Sequence, residues 1–308
     1  MIGFSPHLLS IRILISVVGL VGNVFLIFSI IQTTNSKIKS FEFFLLGLAS
    51  ANLEEIVIVN IYDIVLLQTS STTTSIWLCS SLKFLTMFGE ISSILFTVLI
   101  SVYRYQKLRN ADKRANLQIY LDSIRSAKMM IGVCVMFSVL LSIPVFAISA
   151  KDSAENGTGN STGCPPDFFQ CDRYNCHLAN GIYKYLFILL CNLLPLIIVT
   201  VTSCLIISVI LNKRRMVTPV VSVSGSSQLV RSRKDPRLQR SSIAVLAAMG
   251  LFQVDWTLYL ILQLTFSPHD LPFWAEMEYF ISTSYTSISP YMYGIGNNLF
   301  SFKTLLKK

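Results

Sequence analysis

A bundle of seven membrane-spanning helices is the fold class this sequence predicts, and three observations carry the prediction. Only 13% of the 308 residues are charged while 53% are hydrophobic, and the mean hydropathy is +0.60. A soluble domain carries about 25% charged residues, so much of the polar surface that water demands is missing, and lipid removes the need for it. Apolar runs of about 20 residues or more, the length that crosses a hydrocarbon core, recur seven times between short polar breaks. Finally, 20 of the 25 lysine and arginine residues fall in alternate breaks and in the tail. By the positive-inside rule that side is cytoplasmic, so the amino terminus is expected outside and the carboxyl terminus inside.

The first run covers about 8–32, with no charge between Arg12 and Lys37. The second, about 41–67, holds Glu54, Glu55 and Asp63 and is the weakest on hydropathy. The third, about 79–108, opens on Cys79 and closes on Tyr103-Arg104-Tyr105-Gln106-Lys107. The fourth, about 129–149, is uncharged, and the fifth, about 182–211, is uncharged from Tyr185 to Asn212. The sixth, about 241–266, contains Asp255, and the seventh, about 273–296, has Glu276 and Glu278 near its start. Pro144, Pro195 and Pro290 each remove a helix hydrogen bond and permit a kink. No repeat and no second domain interrupts 1–308, and no cleavable signal peptide is evident at the amino terminus.

The basic balance of +9 is thus a matter of topology and does not call for nucleic acid. The loop 150–181, expected outside, holds the chain's two N-x-[ST] glycosylation acceptors, Asn156 and Asn160, together with Cys164, Cys171 and Cys176. With Cys79 at the same level, four cysteines in an oxidising compartment imply two disulfides. Spacing does not fix their pairing. We take Cys79–Cys176 with Cys164–Cys171, and Cys79–Cys171 as the alternative. The cytoplasmic loop 212–240 is basic at both ends and rich in Val, Ser and Gly between them, and the tail 297–308 is short.

Ionisable residues inside spans are costly and mark function or a partner. Along the third span Cys79 and Glu90 lie 11 positions apart and Glu90 and Arg104 lie 14 apart. At 100° per residue these are offsets of about 20° and about 40°, so one helix face carries all three. Lys83 lies on the same face, two turns above Glu90, and a cavity with both signs suits a small polar or zwitterionic ligand. In the second span Asn52, Glu55 and Asp63 share a side, forming a polar seam. Asp255, beside Trp256, is equally explained by a local hydrogen bond. No metal or cofactor constellation occurs: His7, His177 and His269 are scattered, and HExxH, GxSxG and phosphate-cradling glycine loops are absent. An enzyme is not expected.

Several short motifs resemble the class A (rhodopsin-like) G-protein-coupled receptors over nearly the whole chain. Gly22-Asn23 is similar to the first-span GN, and Leu48-Ala49-Ser50-Ala51-Asn52 to LAxxD with Asn for Asp. Arg104 stands 25 positions after Cys79, as the DRY arginine does, within Tyr103-Arg104-Tyr105. Phe252 and Trp256 match FxxCW with Asp255 for Cys, and Ser289-Pro290-Tyr291-Met292-Tyr293 resembles NPxxY with Ser for Asn. The fourth-span tryptophan is missing, and the seventh span has no lysine for retinal. These departures, with Glu54-Glu55 and the run 101–108, resemble the vomeronasal type-1 receptors and their fish branch, the olfactory receptors related to class A.

The resemblance implies a pheromone or odorant receptor in the plasma membrane of chemosensory neurons. It implies a small-molecule ligand near Lys83, Glu90, Tyr183, Lys184, Asp255, Trp256 and Tyr279. Coupling to a heterotrimeric G protein would run through Tyr103, Arg104, Tyr105, Pro290 and Tyr293. With Tyr103 in place of an acid, the resting restraint on Arg104 is expected to be weaker or to be made elsewhere, for example by another span. A bitter-taste-like receptor is the near alternative. A small transporter or channel, suggested by the polar seam, is the distant one.

Overall fold

The computed structural model describes residues 6–33, 39–68, 76–113, 120–148, 169, 176–215, 236–266, 274–297 and 299. These residues are helical throughout, apart from short turns and caps. Helix α1 is Pro6–Thr33, α2 is Ser40–Gln68 and α3 is Ile76–Lys113. A single 3-10 turn, Tyr120–Asp122, precedes α4, Ile124–Ser142, whose helical course resumes past Pro144 as far as Ile148. Helix α5 starts at Leu178–Phe187, widens into a π-helical stretch at Ile188–Leu193, and continues as Leu194–Arg215. Helices α6, Pro236–Thr265, and α7, Trp274–Gly296, complete the bundle. The π stretch ends beside Pro195, whose missing N–H cannot complete an ordinary α-helical turn.

Helix α3 is the axis, packed against α2, α4, α5 and α6, while α1 lies between α2 and α7. Two-thirds of its membrane window (67%) is buried, the largest share of any candidate span. That burial explains why the third apolar run carries charge: its polar groups are kept from lipid. The lipid-facing surface is apolar instead, with Leu14, Val21, Met136, Leu140, Ile197 and Leu264 exposed.

Among the described residues six helices are long and apolar enough to cross a membrane. Helix α7 falls short of that standard because of its hydroxyls, but these point inward. Tyr279, Thr283, Tyr285, Thr286, Ser287, Ser289 and Tyr293 are all buried. At Gly22 an added Cβ would lie 2.6 Å from the Tyr291 ring and 3.0 Å from Pro290. The first-span glycine therefore lets α1 and α7 approach closely, as small residues do between membrane helices. Asn156, Asn160, Cys164 and Cys171 lie outside the described residues.

Candidate functional site

Polar side chains meet at three levels. At the middle level Asn52 is the hub. Its Nδ2 donates to Asn23 Oδ1 (3.3 Å) and to Ser289 Oγ (3.2 Å), and its Oδ1 accepts from Ser93 Oγ at 2.7 Å. Asn23 in turn donates to the carbonyls of Gly19 and Thr286, both at 2.9 Å. Four helices are joined here without a carboxylate, because an amide supplies both donor and acceptor. One turn along α3, Thr97 Oγ1 bonds Tyr285 OH at 2.7 Å, and Tyr285 OH lies 3.5 Å from Tyr293 OH.

Arg104 lies beyond Tyr293, 7% exposed. Its Nη2 donates to Asn297 Oδ1 at 2.8 Å and its guanidinium stacks 3.5 Å from the centre of the Phe41 ring. Asn297 Oδ1 also accepts from Ser241 Oγ at 2.6 Å, and its Nδ2 donates to the Tyr293 carbonyl at 2.7 Å. One amide just past α7 therefore ties α3 to α6. Tyr103 directs its hydrogen bond away from the arginine. Its ring packs between Phe41 and Phe44, and its hydroxyl donates to Asp122 Oδ1 at 2.8 Å. Asp122 also accepts from Lys107 Nζ at 2.8 Å. Burial works against ionising that carboxyl, but the hydrogen bonds from Lys107 and Tyr103 and the Lys107 charge outweigh it and hold it below the ordinary 3.8. Tyr105 packs on the adjoining core.

Toward the Cys79 end, Glu90 lies within electrostatic reach of Tyr183, Tyr259, Cys191 and Glu278. Glu278 accepts from Tyr259 OH (3.3 Å) and Gln263 Nε2 (3.0 Å). Trp256 stacks edge-on to Tyr259 with centroids 5.1 Å apart. Asp255 accepts from Ser284 Oγ at 2.6 Å, so it joins α6 to α7 as a structural pair. Tyr183 donates to the Leu141 carbonyl at 2.7 Å and so also braces α4. Lys83 is buried, 1% exposed, and engaged in contacts of its own.

Two of the expected ligand residues stand apart from this group. Tyr279 faces α1, where its hydroxyl bonds Ser16 and the Arg12 carbonyl and its ring lies 3.8 Å under the Arg12 guanidinium. Lys184 lines a groove of about 820 Å³ on the flank of the bundle, between the starts of α5 and the end of α6, with Tyr185, Leu189, Gln263 and Phe266. Cys79 and Cys176 are disulfide-bonded, whereas Cys134, Cys191 and Cys204 are free thiols. Sequence reasoning missed Glu278, Tyr259, Gln263, Ser241 and Asn297. Glu278 had a signal, an acid inside a span. Asn297 had none, because its partner lies 193 positions away.

Residues 22–293 match the family described as "7 transmembrane receptor (rhodopsin family)". The chain belongs to that family. This membership makes it a multi-pass membrane receptor of the G-protein-coupled kind, and seven spans, not six, is the right count for α1 to α7. A gonadotropin-releasing hormone receptor from Octopus vulgaris is 26% identical over 294 residues, which cover 90% of this chain and 68% of the octopus protein.

Proposed function

We propose that this receptor detects a small extracellular cue of the pheromone or odorant kind and activates a heterotrimeric G protein from the plasma membrane of chemosensory neurons. In this reading the Cys79 end and the amino terminus face outward, with Asn156 and Asn160 glycosylated and Cys79 paired with Cys176. Arg104, Tyr105, Pro290 and Tyr293 face the G protein. The ligand lies among α3, α5, α6 and α7, and it acts by binding the active bundle more tightly than the resting one.

The observation that supports a small ligand is the burial of Glu90, Tyr183 and Tyr259 within electrostatic reach of one another, beside the half-buried Glu278. The vomeronasal resemblance of the Tyr103-Arg104-Tyr105 stretch supports the chemosensory class. A peptide-hormone receptor is the second reading, and the likeness to the octopus receptor favours it.

G-protein nucleotide exchange should be measured with small carboxylates, amines and bile-type steroids against gonadotropin-releasing peptide, on the native receptor and on Glu90→Gln. Activation by a small molecule that weakens in Glu90→Gln supports the proposal. Activation by the peptide alone, unchanged in Glu90→Gln, overturns it. Ion currents in liposomes without any ligand would instead favour a channel.

A further inference from the structure

The groove beside Lys184 opens on the flank of the bundle, with Cys176 at its rim. Its walls are apolar and uncovered by protein: Ile182 is 60% exposed, Tyr185 66%, Leu189 51% and Leu264 57%. In a membrane, such side chains meet acyl chains. The volume of about 820 Å³ falls within the range of about 300–1,000 Å³ that small-molecule sites occupy. From Leu178 to Leu189 the α5 wall covers 11 positions, about 17 Å of helix. One leaflet is half of a hydrocarbon core about 30 Å thick. The groove therefore runs the depth of one leaflet, which is the space an acyl chain takes there.

Shape alone would suit any lipid, and charge narrows the choice. Lys184 lines the groove six positions beyond the first residue of α5, about 9 Å along the helix. Among the described residues no carboxylate lines the groove, so nothing in it answers that charge. His177, at the rim, accepts from the Ala179 amide through Nδ1 at 3.3 Å. In the neutral ring this leaves the proton on Nε2, a donor. Both groups at this end are thus suited to an anion. Gln263 forms the inner wall, 7% exposed, and its Nε2 donates to Glu278 Oε1 at 3.0 Å. That amide links the groove to the buried polar set around Glu90.

We propose that the groove binds a long-chain carboxylic acid dissolved in the bilayer. Its carboxylate meets the Lys184 ammonium, and its chain runs along Leu186, Leu189 and Leu264. Charge-assisted hydrogen bonds are the stronger kind, and apolar surroundings strengthen them further. Through Gln263, occupation of the groove acts on the Glu278 hydrogen bonds from outside the bundle. A lysine that merely snorkelled to the headgroups would not distinguish one chain end from another, and that difference is the test.

Full-length receptor in phosphatidylcholine nanodiscs would be illuminated with a hexadecanoic acid carrying a mid-chain diazirine, or with the matching alcohol, and the adducts located by peptide mass spectrometry. Acid adducts should concentrate on residues 178–189 and 264–266 and be displaced by oleate. The alcohol should need a mole fraction at least about tenfold higher for half-maximal labelling, since it lacks the bond to a charged group. Lys184→Gln should impose the same loss on the acid and leave the alcohol unchanged, whereas Lys184→Arg should keep acid labelling. Leu264→Trp, which fills the groove, should weaken both probes. Adducts spread evenly over the other lipid-facing helices overturn the site, as does acid labelling indifferent to Lys184→Gln. Displacement by acetate as effective as by oleate overturns the lipid assignment in favour of a bare anion contact. G-protein activation does not enter the readout, so failure here leaves the receptor reading standing.

Discussion

Around Asn52 and one turn from it toward Cys79, the same two helices treat buried polarity in opposite ways. At Asn52 the amide is matched atom for atom by Asn23, Ser93 and Ser289. At Glu55 and Glu90 one carboxyl oxygen of each is buried without a hydrogen-bond partner. The difference teaches that the inner network is built to hold a conformation, since a satisfied network rigidifies. The acids stabilise nothing of the kind, since a buried polar group without a hydrogen-bond partner costs free energy.

The largest effect is expected at the satisfied hub. Asn52→Leu leaves Ser93, Ser289 and Asn23 without its amide, and membrane hydrogen bonds of this kind are worth about 0.6 to 1.7 kcal/mol each. A loss of about 2–3 kcal/mol should appear as a lower melting midpoint in detergent. A stability equal to the native receptor would break the contrast.

Next comes the Arg104 restraint. A hydrogen bond to a charged group contributes about 1.5–3 kcal/mol, so Asn297→Ala should raise ligand-independent nucleotide exchange about tenfold. Asn297→Asp, which supplies a full charge, should quieten it below the native level. Equal basal rates in all three would remove Asn297 from the switch.

At the unsatisfied acids the sign reverses. Glu55→Gln should leave the melting midpoint unchanged or slightly raised, because an uncompensated buried carboxyl is lost. The smallest effect belongs to Asp122, whose pair with Lys107 is 44% and 38% exposed and so contributes little. Its carboxyl is held below its ordinary value, so the stabilisation is present above the unfolded-state value and is lost as pH falls through the folded one. Native and Asp122→Asn melting curves should therefore converge in acid.

Hydropathy marked out the helices because lipid demands long apolar runs. Helix α7 needed its neighbours to explain its hydroxyls. The acids Glu55 and Glu90 were visible as anomalies in the sequence, and helical phase put Glu90 on the face shared with Cys79 and Arg104. What phase could not give is which face meets which helix. Tyr279 therefore turned out to serve α1, and Lys184 the flank. Arg104 is held by Asn297, just past the seventh helix rather than within another span, and a contact across 193 positions leaves no local trace. The absent acid at Tyr103 is accounted for by Asp122, which gives the tyrosine hydroxyl a different partner.

The π stretch at Ile188–Leu193 has a consequence for how this helix can vary in evolution. Such a bulge takes up one extra residue in a widened turn, so the apolar pattern shifts by one position across it while both halves of α5 keep facing the same way. Deleting a single residue there would restore a regular helix and leave Val199 and Ile206 buried, whereas a deletion between Leu194 and Arg215 would turn the residues after it by about 100°. Length is therefore less constrained at the π stretch than in the regular helix that follows. An aligned relative one residue shorter here would be expected to lack the π turn and keep the same interface with α3.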